Sequence, residues 1–396
     1  MVKPVYVALN NSQSCFDLSF GVNRMTTEVN KMIETLKQQG KVSSGPLTVE
    51  RIDLTHHLEF DNHHAIYKIT DPSVSLTAFV GVHHIGRGPA MGGTRLWPYT
   101  SEDLAITDVL RLSKGMTYKS ALAGLPLGGG KAVIMASPTQ KTPALLTSYA
   151  TALNWIGGEY LTAADVNTNQ KDMDVIRDTT PYVSGVSEIR GGRGDPSDAT
   201  AQGVFHALVS TVQQKFGKTT LSGLTVAIQG LGSVGFDLAQ QLKNSGCQLI
   251  VADINENRIK QAVDELGAQV TSVDLIHSTN CDVFAPCALG AILNEKSIAE
   301  IKAGAICGAA NNQLKEKADG GRLAQKGILY APDYAANSGG IIKVCAEYLN
   351  WDQPKVSQMV SEIGQTMLRV YEVSASQKVR PEESADMLAR DAFMKI

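Results

Sequence analysis

The chain has 396 residues, 43% of them hydrophobic and 19% charged, with 36 basic and 39 acidic side chains and a formal net charge of −3. That length suggests about two or three domains and can bury large cores without disulfide or metal staples. Near-balanced charge provides no global basic field for nucleic acid or an anionic membrane, and both are excluded as principal partners.

In chain order, Met25, Val29, Met32, Ile33 and Leu36 recur at helical spacing and Gly40 closes the segment, which predicts an amphipathic helix over 25–36. Residues 75–85 read as a strand, and 102–114 as a helix with Leu104, Val109, Leu110 and Leu112 on its apolar side. A glycine-rich loop, Gly124 to Gly130, leads into a strand at Ala132–Met135. The segment Gly191-Gly192-Arg193-Gly194-Asp195-Pro196-Ser197-Asp198 has the composition of an interdomain loop. Beyond it strand and helix alternate: Thr225–Gln229, Val234–Leu242, Gln248–Asp253, Asn255–Leu266, then short apolar strands at Val283–Ala285, Ala305–Cys307 and Ile328–Tyr330. Such alternation implies parallel βαβ units. The expected fold class is α/β with two domains, an α/β substrate domain over 1–190 and a Rossmann dinucleotide-binding domain over 191–396, separated by a cleft. The last helices are expected to pack back on the first domain.

Six cysteines, at 15, 247, 281, 287, 307 and 345, form no CxxC pair and read as buried free thiols of a reducing cytosol. No secretory signal pattern opens the chain, and no apolar run approaches the roughly 20 residues of a bilayer span. The expected location is cytoplasmic. Paired histidines at 56–57, 63–64 and 83–84 carry no helical metal-ligand spacing, and neighbours on a strand point to opposite faces. No metal is expected.

Gly230-Leu231-Gly232-Ser233-Val234-Gly235 fits G-x-G-x-x-G, between the strand ending at Ile228 and a helix to Leu242. The first glycine allows the tight turn, the second a close approach of backbone to pyrophosphate, the third close helix–strand packing. Phosphate sits at the helix start, where free N–H groups and the positive dipole end favour an anion. Asp253 closes the next strand, 23 residues after Gly230. Its carboxylate would bind the adenosine ribose and repel a 2′-phosphate, so the expected cofactor is NAD.

Lys131 follows Gly128-Gly129-Gly130, but Leu125 and Ala132 stand where a P-loop needs Gly and Ser/Thr, so this is no phosphate loop. Lys119 and Lys131 lie among small and apolar residues. Desolvation would make such lysines proton carriers near neutrality, although spacing alone equally allows solvated surface lysines. Asp165 ends an apolar stretch and reads as a turn residue or a second proton carrier.

At these residues the chain resembles the Glu/Leu/Phe/Val dehydrogenase family, in its leucine, phenylalanine, valine and tryptophan dehydrogenase branch, from about residue 52 to about residue 390. The motifs are Gly88–Arg95 (Gly-Pro-Ala-Met-Gly-Gly-Thr-Arg), Gly115–Lys119, Gly128–Lys131, Thr162–Val166, Ala285–Gly290, Gly308–Gln313 and Tyr330–Tyr334. The resemblance implies reversible oxidative deamination of an L-amino acid to a 2-oxo acid and ammonia, with NAD taking the α-hydride. It implies that Lys119 pairs with the substrate carboxylate, helped by the backbone at Gly92. Lys131 would polarise the oxo or imino group and activate water, and Asp165 would exchange a proton with the substrate nitrogen. Asn337 would help hold substrate and nicotinamide, Thr200 and Asn311 would line the nicotinamide side, and Gly230 to Gly235 with Asp253 would hold the rest. The glutamate branch has a lysine where Met91 stands, so the side-chain pocket is expected to be apolar, lined by Met91 and Ala163 with Met367 and Val370. This does not separate leucine from valine, phenylalanine or tryptophan. The first roughly 50 residues and the end at Ile396 depart from the family pattern. A homodimer is expected in place of the family's frequent octamer, with the helix at 25–36 at its interface. The alternative is a non-catalytic NAD-binding sensor of the same fold.

Overall fold

A computed structural model of the chain describes residues 27–394, so Cys15 and Met25 lie outside the described residues. The first part of the chain runs α1 (Thr27–Gln39), β1 (Lys41–Ser44), β2 (Leu47–Arg51), β3 (Ala65–Asp71), β4 (Leu76–His84), β5 (Ala90–Trp97), α2 (Glu102–Leu122), β6 (Gly128–Met135), α3 (Pro143–Ile156), β7 (Tyr160–Ala164) and α4 (Gln170–Arg177). Its strands form one sheet in the order β1-β2-β3-β4-β6-β5-β7. Neighbours from β1 to β6 are antiparallel, whereas β5 lies parallel to both β6 and β7. The apolar stripe of α1 is used within its own chain, where Leu36 and Met32 join the core containing α3. β1 and β2 pair onto β3, so residues 41–51 belong to this sheet.

The sheet is covered on both faces, and the two-residue strand period sorts its side chains. Ile66, Phe79 and Val133 pack with Val109 and Leu110 of α2. Tyr67, Ala78, Val80, Ala132 and Ile134 pack with α3 on the other side.

Two local readings differ from the structure. Gly128, Gly129 and Gly130 are not a loop but the first residues of β6. The helix expected over 102–114 continues to Leu122. Gly115 costs that helix about 1 kcal/mol relative to alanine. Burial of Thr117, Tyr118, Ser120 and Ala121 in the following turns offsets this cost and keeps the helix running. A Cβ on Gly129 would overlap the main chain of Thr117, so the bare strand is what lets α2 lie directly on it.

The second part runs α5 (Ser197–Phe216), β8 (Thr225–Gln229), α6 (Ser233–Asn244), β9 (Gln248–Ala252), α7 (Glu256–Leu266), β10 (Gln269–Val270), β11 (Val283–Pro286), α8 (Glu295–Glu300), β12 (Ala305–Ile306), α9 (Lys317–Gln325), β13 (Leu329–Tyr330), α10 (Asp333–Ala336), α11 (Gly339–Tyr348), α12 (Gln353–Gln377) and α13 (Pro381–Met394). Its sheet is wholly parallel, in the order β10-β9-β8-β11-β12-β13. With β8 and β11 central, this is the doubly wound order of a dinucleotide fold, whose ligand crevice lies at the carboxyl ends of those two strands. The chain then returns to the first sheet's side. Tyr118 and Ala121 of α2 share a cluster with Ala389 and Phe393 of α13, and Arg87 donates to the Ala392 carbonyl at 2.9 Å. Among the described residues no helix is long and apolar enough to cross a membrane.

Candidate active site

Parity along three adjacent strands assembles the first half of the site. Met91 of β5 stands in register with Gly129 of β6 and Leu161 of β7, and Gly93 with Ala163. Odd-numbered residues of these strands therefore share the face covered by α2: Met91, Arg95, Lys131, Ala163 and, just past β7, Asp165. Lys131 is only 7% exposed, and its Nζ is in direct contact with Asp165 Oδ2. Burial pulls the Lys131 ammonium down to about 7, with the positive charges of Arg95 and Lys119 acting in the same sense and Asp108 against them. The main chain holds Asp165 in place. Its N–H donates to Thr168 Oγ1 at 2.8 Å, and its Oδ1 accepts the Val166 N–H at 2.6 Å.

Lys119, in the last turn of α2, donates to Asn337 Oδ1 at 2.6 Å, a contact between residues 218 positions apart. Asn337 follows α10 and in turn donates to the Ala309 carbonyl at 3.0 Å and to Asn311 Oδ1 at 2.7 Å. Burial pulls Lys119 down to about 8, opposed by the carboxylate of Asp333. Asp333 is itself raised by burial, although it accepts the Gln313 N–H at 2.9 Å and the Tyr334 N–H at 2.6 Å. An amino acid seated here would meet a cation for its carboxylate at Lys119 and a lysine–carboxylate pair for its reacting carbon and nitrogen.

The second half lies on the parallel sheet. Gly230, at φ +94°, adopts a conformation that side chains disfavour. A Cβ on Gly235 would overlap the Gly230 carbonyl, so glycine there brings α6 against the strand. Gly232 caps α6 without any side-chain bond, and nothing lies within 4 Å of where its Cβ would be. The first N–H groups of a helix have no partner within it and suit an anion such as pyrophosphate, and at Gly232 no side chain stands in the way. Asp253 Oδ2 accepts the Leu231 N–H at 2.5 Å and its Oδ1 the Asn255 N–H at 2.7 Å, which ties this carboxylate to the glycine turn. These residues fit a dinucleotide.

The structure brings Lys131 and Asp165 together, and likewise Lys119, Asn337 and Asn311. Thr200 lies in the first turn of α5 and donates to the Pro196 carbonyl at 2.9 Å. It faces Gly340, where a Cβ would fall 2.5 Å from its hydroxyl oxygen. Gly92 borders the lysines through its neighbours: its carbonyl accepts from Tyr160 OH at 2.6 Å, and a Cβ there would overlap the Gly130 carbonyl. Met91, Met367 and Val370 sit in one buried cluster, with Met91 Sδ 3.1 Å from Cys345 Sγ. Ala163 is 9% exposed.

Sequence reasoning missed Arg95, Asp108 and Asp333. Arg95 shares strand parity with Met91, a signal that was available. Asp333 stands within Tyr330–Tyr334 but pairs electrostatically with Lys119 only through the tertiary fold. Of the paired histidines, His63 and His83 are buried packing groups. His63 and His83 meet edge to face at 4.7 Å, and burial lowers both. Among the described residues no group of three or more His, Cys, Asp or Glu side chains is placed to hold a metal ion.

Comparison with known proteins identifies the family and the fold. The family described as Glu/Leu/Phe/Val dehydrogenase, dimerisation domain, matches residues 63–182, and Glutamate/Leucine/Phenylalanine/Valine dehydrogenase matches residues 248–395. Leucine dehydrogenase of Thermoactinomyces intermedius is 41% identical over 336 residues, 85% of this chain and 92% of that protein. Phenylalanine dehydrogenase of Lysinibacillus sphaericus is 44% identical over 331 residues, 82% of this chain and 87% of that protein. The crystal structure of L-tryptophan dehydrogenase from Nostoc punctiforme superposes with a TM-score of 0.76 at 38% identity, covering 84% of this chain and 96% of that one. With its glycine turn, buried lysines and paired sheets in these positions, the chain belongs to the Glu/Leu/Phe/Val dehydrogenase family.

Proposed function

We propose that the chain oxidatively deaminates an apolar L-amino acid with NAD, reversibly, and that Lys131 and Asp165 carry the protons. The class of activity comes with the family: this is an amino-acid dehydrogenase, an oxidoreductase acting on CH–NH2 with a nicotinamide dinucleotide. The observation that carries the assignment of roles is the buried Lys131, pulled down to about 7 while touching a carboxylate.

In this reading residues 27–190 supply the substrate domain and 191–394 the dinucleotide domain. Lys119 exchanges its bond with Asn337 for one to the substrate carboxylate, near the Gly92 backbone. Asp165 takes a proton from the substrate amino group. A nicotinamide held beside this pair would supply the hydride acceptor for Cα. Neutral Lys131 removes a proton from the water that adds to the imino carbon, and Asp165 returns its proton to nitrogen. As the C–N bond breaks, the carbinol hydroxyl gives its proton to the departing ammonia, leaving the 2-oxo acid and ammonium. Asn311 and Thr200 border the nicotinamide side. Gly230, Gly232, Ser233, Val234 and Gly235 hold the phosphates, and Asp253 the ribose. Met91 and Ala163, with Met367 and Val370, form an apolar wall that offers no charge to a side-chain carboxylate.

A panel of leucine, valine, phenylalanine, tryptophan and glutamate, followed by NADH formation, tests the activity and ranks the substrates. Silence on all five with dinucleotide binding intact by calorimetry would favour the sensor alternative. Replacing Asp253 by alanine removes the ribose acceptor and the charge that repels a 2′-phosphate. The NAD-over-NADP preference in kcat/KM should fall about 10- to 100-fold, and an unchanged ratio would show that Asp253 does not read the ribose.

Lys119 gives a pH dependence. Its pKa of about 8 means that the ammonium is present below that pH and lost above it. Because a 2-oxo acid has no amine of its own to titrate, its binding should weaken about tenfold per pH unit above 8. Flat binding from pH 7 to 10 would remove Lys119 from carboxylate recognition. We also infer a homo-oligomer, with a homodimer as the smallest form, and a cytoplasmic setting that suits the free Cys247, Cys281, Cys287, Cys307 and Cys345.

A further inference from the structure

We propose that Arg95 is a positioning residue for the proton-transfer pair: anchored by Asp108, its guanidinium orients the Asp165 carboxylate and neutralises it when Lys131 gives up its proton. The proposal rests on the roles given above to Lys131 and Asp165.

The geometry divides the two oxygens of Asp165 between two cations. Oδ2 touches Lys131, whereas Oδ1 lies 3.9 Å from Arg95 Nη2. The other guanidinium nitrogen, Nη1, donates to Asp108 Oδ2 at 2.8 Å, and Tyr99 OH donates to the same oxygen at 2.5 Å. Arg95 Nε is buried and unpartnered. The guanidinium is therefore held from α2 and aimed across the strand ends at Asp165.

Such a group is needed for a physical reason. A lysine that serves as a base must spend part of each turnover neutral. A carboxylate whose only cation is that lysine would then be left unpaired in a poorly solvated site, which opposes the proton's departure. Arginine stays charged throughout, and its planar fork can serve two carboxylates at once. The charged groups facing Lys131 are Arg95 from β5, Asp108 and Lys119 from α2, and Asp165 after β7, with Asp333 beyond Lys119. On β4, Gly81 stands opposite Lys131 and brings no charge. Arg95 is the first of the two cations that push the Lys131 proton off.

Arg95 also lines a surface cleft of about 490 Å³ with Trp97, Tyr99, Thr107 and Arg111. A shorter side chain there would be met by solvent rather than leave a hole in a core, so Arg95 variants are expected to fold.

The test compares Arg95→Gln, Arg95→Lys and Asp108→Asn with the unaltered full-length enzyme. It reads kcat for deamination from pH 6 to 10, dinucleotide affinity and thermal unfolding. The substrate's own ammonium titrates alike in all of them, so only differences between profiles are read. Arg95→Gln should lower kcat about 10- to 100-fold and move the acid limb up by roughly one pH unit, with dinucleotide affinity unchanged. Arg95→Lys should return the limb toward its original place while kcat stays low, because an ammonium cannot fork between two carboxylates. Asp108→Asn removes an anion and should move the limb the other way, to lower pH, and it decides the matter if Arg95→Gln does not fold. Limbs that superimpose on the unaltered enzyme, with only kcat or thermal stability reduced, would overturn the proposal. Turnover retained by Lys131→Ala removes the site reading and this proposal with it. A dead Lys131→Ala beside an unmoved Arg95→Gln limb removes the role of Arg95 alone.

Discussion

Lys131→Ala should lower kcat by about a thousandfold or more while dinucleotide affinity holds within about twofold. In the proposed reaction the lysine takes the proton from water, and alanine supplies no base in its place. The dinucleotide residues stand on a separate sheet, so their geometry survives the change. The substitution leaves the half-buried Asp165 carboxylate with the Val166 N–H and, at 3.9 Å, Arg95, but without its contacting cation, so some loss of stability accompanies it. Single-turnover NADH formation with calorimetry of dinucleotide binding checks this. Retained turnover would remove Lys131 from the chemistry, and loss of dinucleotide affinity would indicate disruption of the fold instead.

Gly129→Ala should be costly through packing alone. Its Cβ would occupy the space of the Thr117 main chain, and neither a helix nor a central strand can yield by that much. About 3 kcal/mol of destabilisation is expected, read as a lowered unfolding temperature. Because Lys119 is carried by the same helix two residues beyond Thr117, the KM for the amino acid should rise as well. Gly115→Ala is the matched control. A Cβ there has nothing within 4 Å, and alanine suits a helix interior better by about 1 kcal/mol, so stability should hold or increase. Equal behaviour of the two variants would show that α2 does not depend on the bare strand.

Much of the second sheet was legible because local rules suffice for it. Gly230 to Gly235 between an apolar strand and an apolar-periodic helix specifies a strand–turn–helix wherever it occurs, and Asp253 follows at the end of the next strand. Strands Thr225–Gln229 and Val283–Pro286 fall where the short apolar runs place them. The first sheet was less legible. Three glycines in a row carry no apolar signal, so 128–130 reads as a loop. Their strand character comes from α2 lying on one face, while Tyr160 and Ala90 crowd Gly130. The same packing extends α2 through a glycine that local propensity would have used to end it.

The sequence alone determined the kinds of group available: two lysines among small residues, an aspartate at the end of an apolar stretch, an asparagine before paired glycines, and a glycine turn for a dinucleotide. These follow from residue type and near-neighbour spacing. Only the tertiary structure decided which groups meet. Strand parity puts Arg95, Lys131 and Asp165 on one face, and the crossing of α2 sets Lys119 against Asn337 at 2.6 Å. Burial then moves both lysines toward neutrality. Desolvation and charge pairing depend on what surrounds a side chain in space, and Lys119 meets its charge partner Asp333 and its hydrogen-bond partner Asn337 from the far end of the chain.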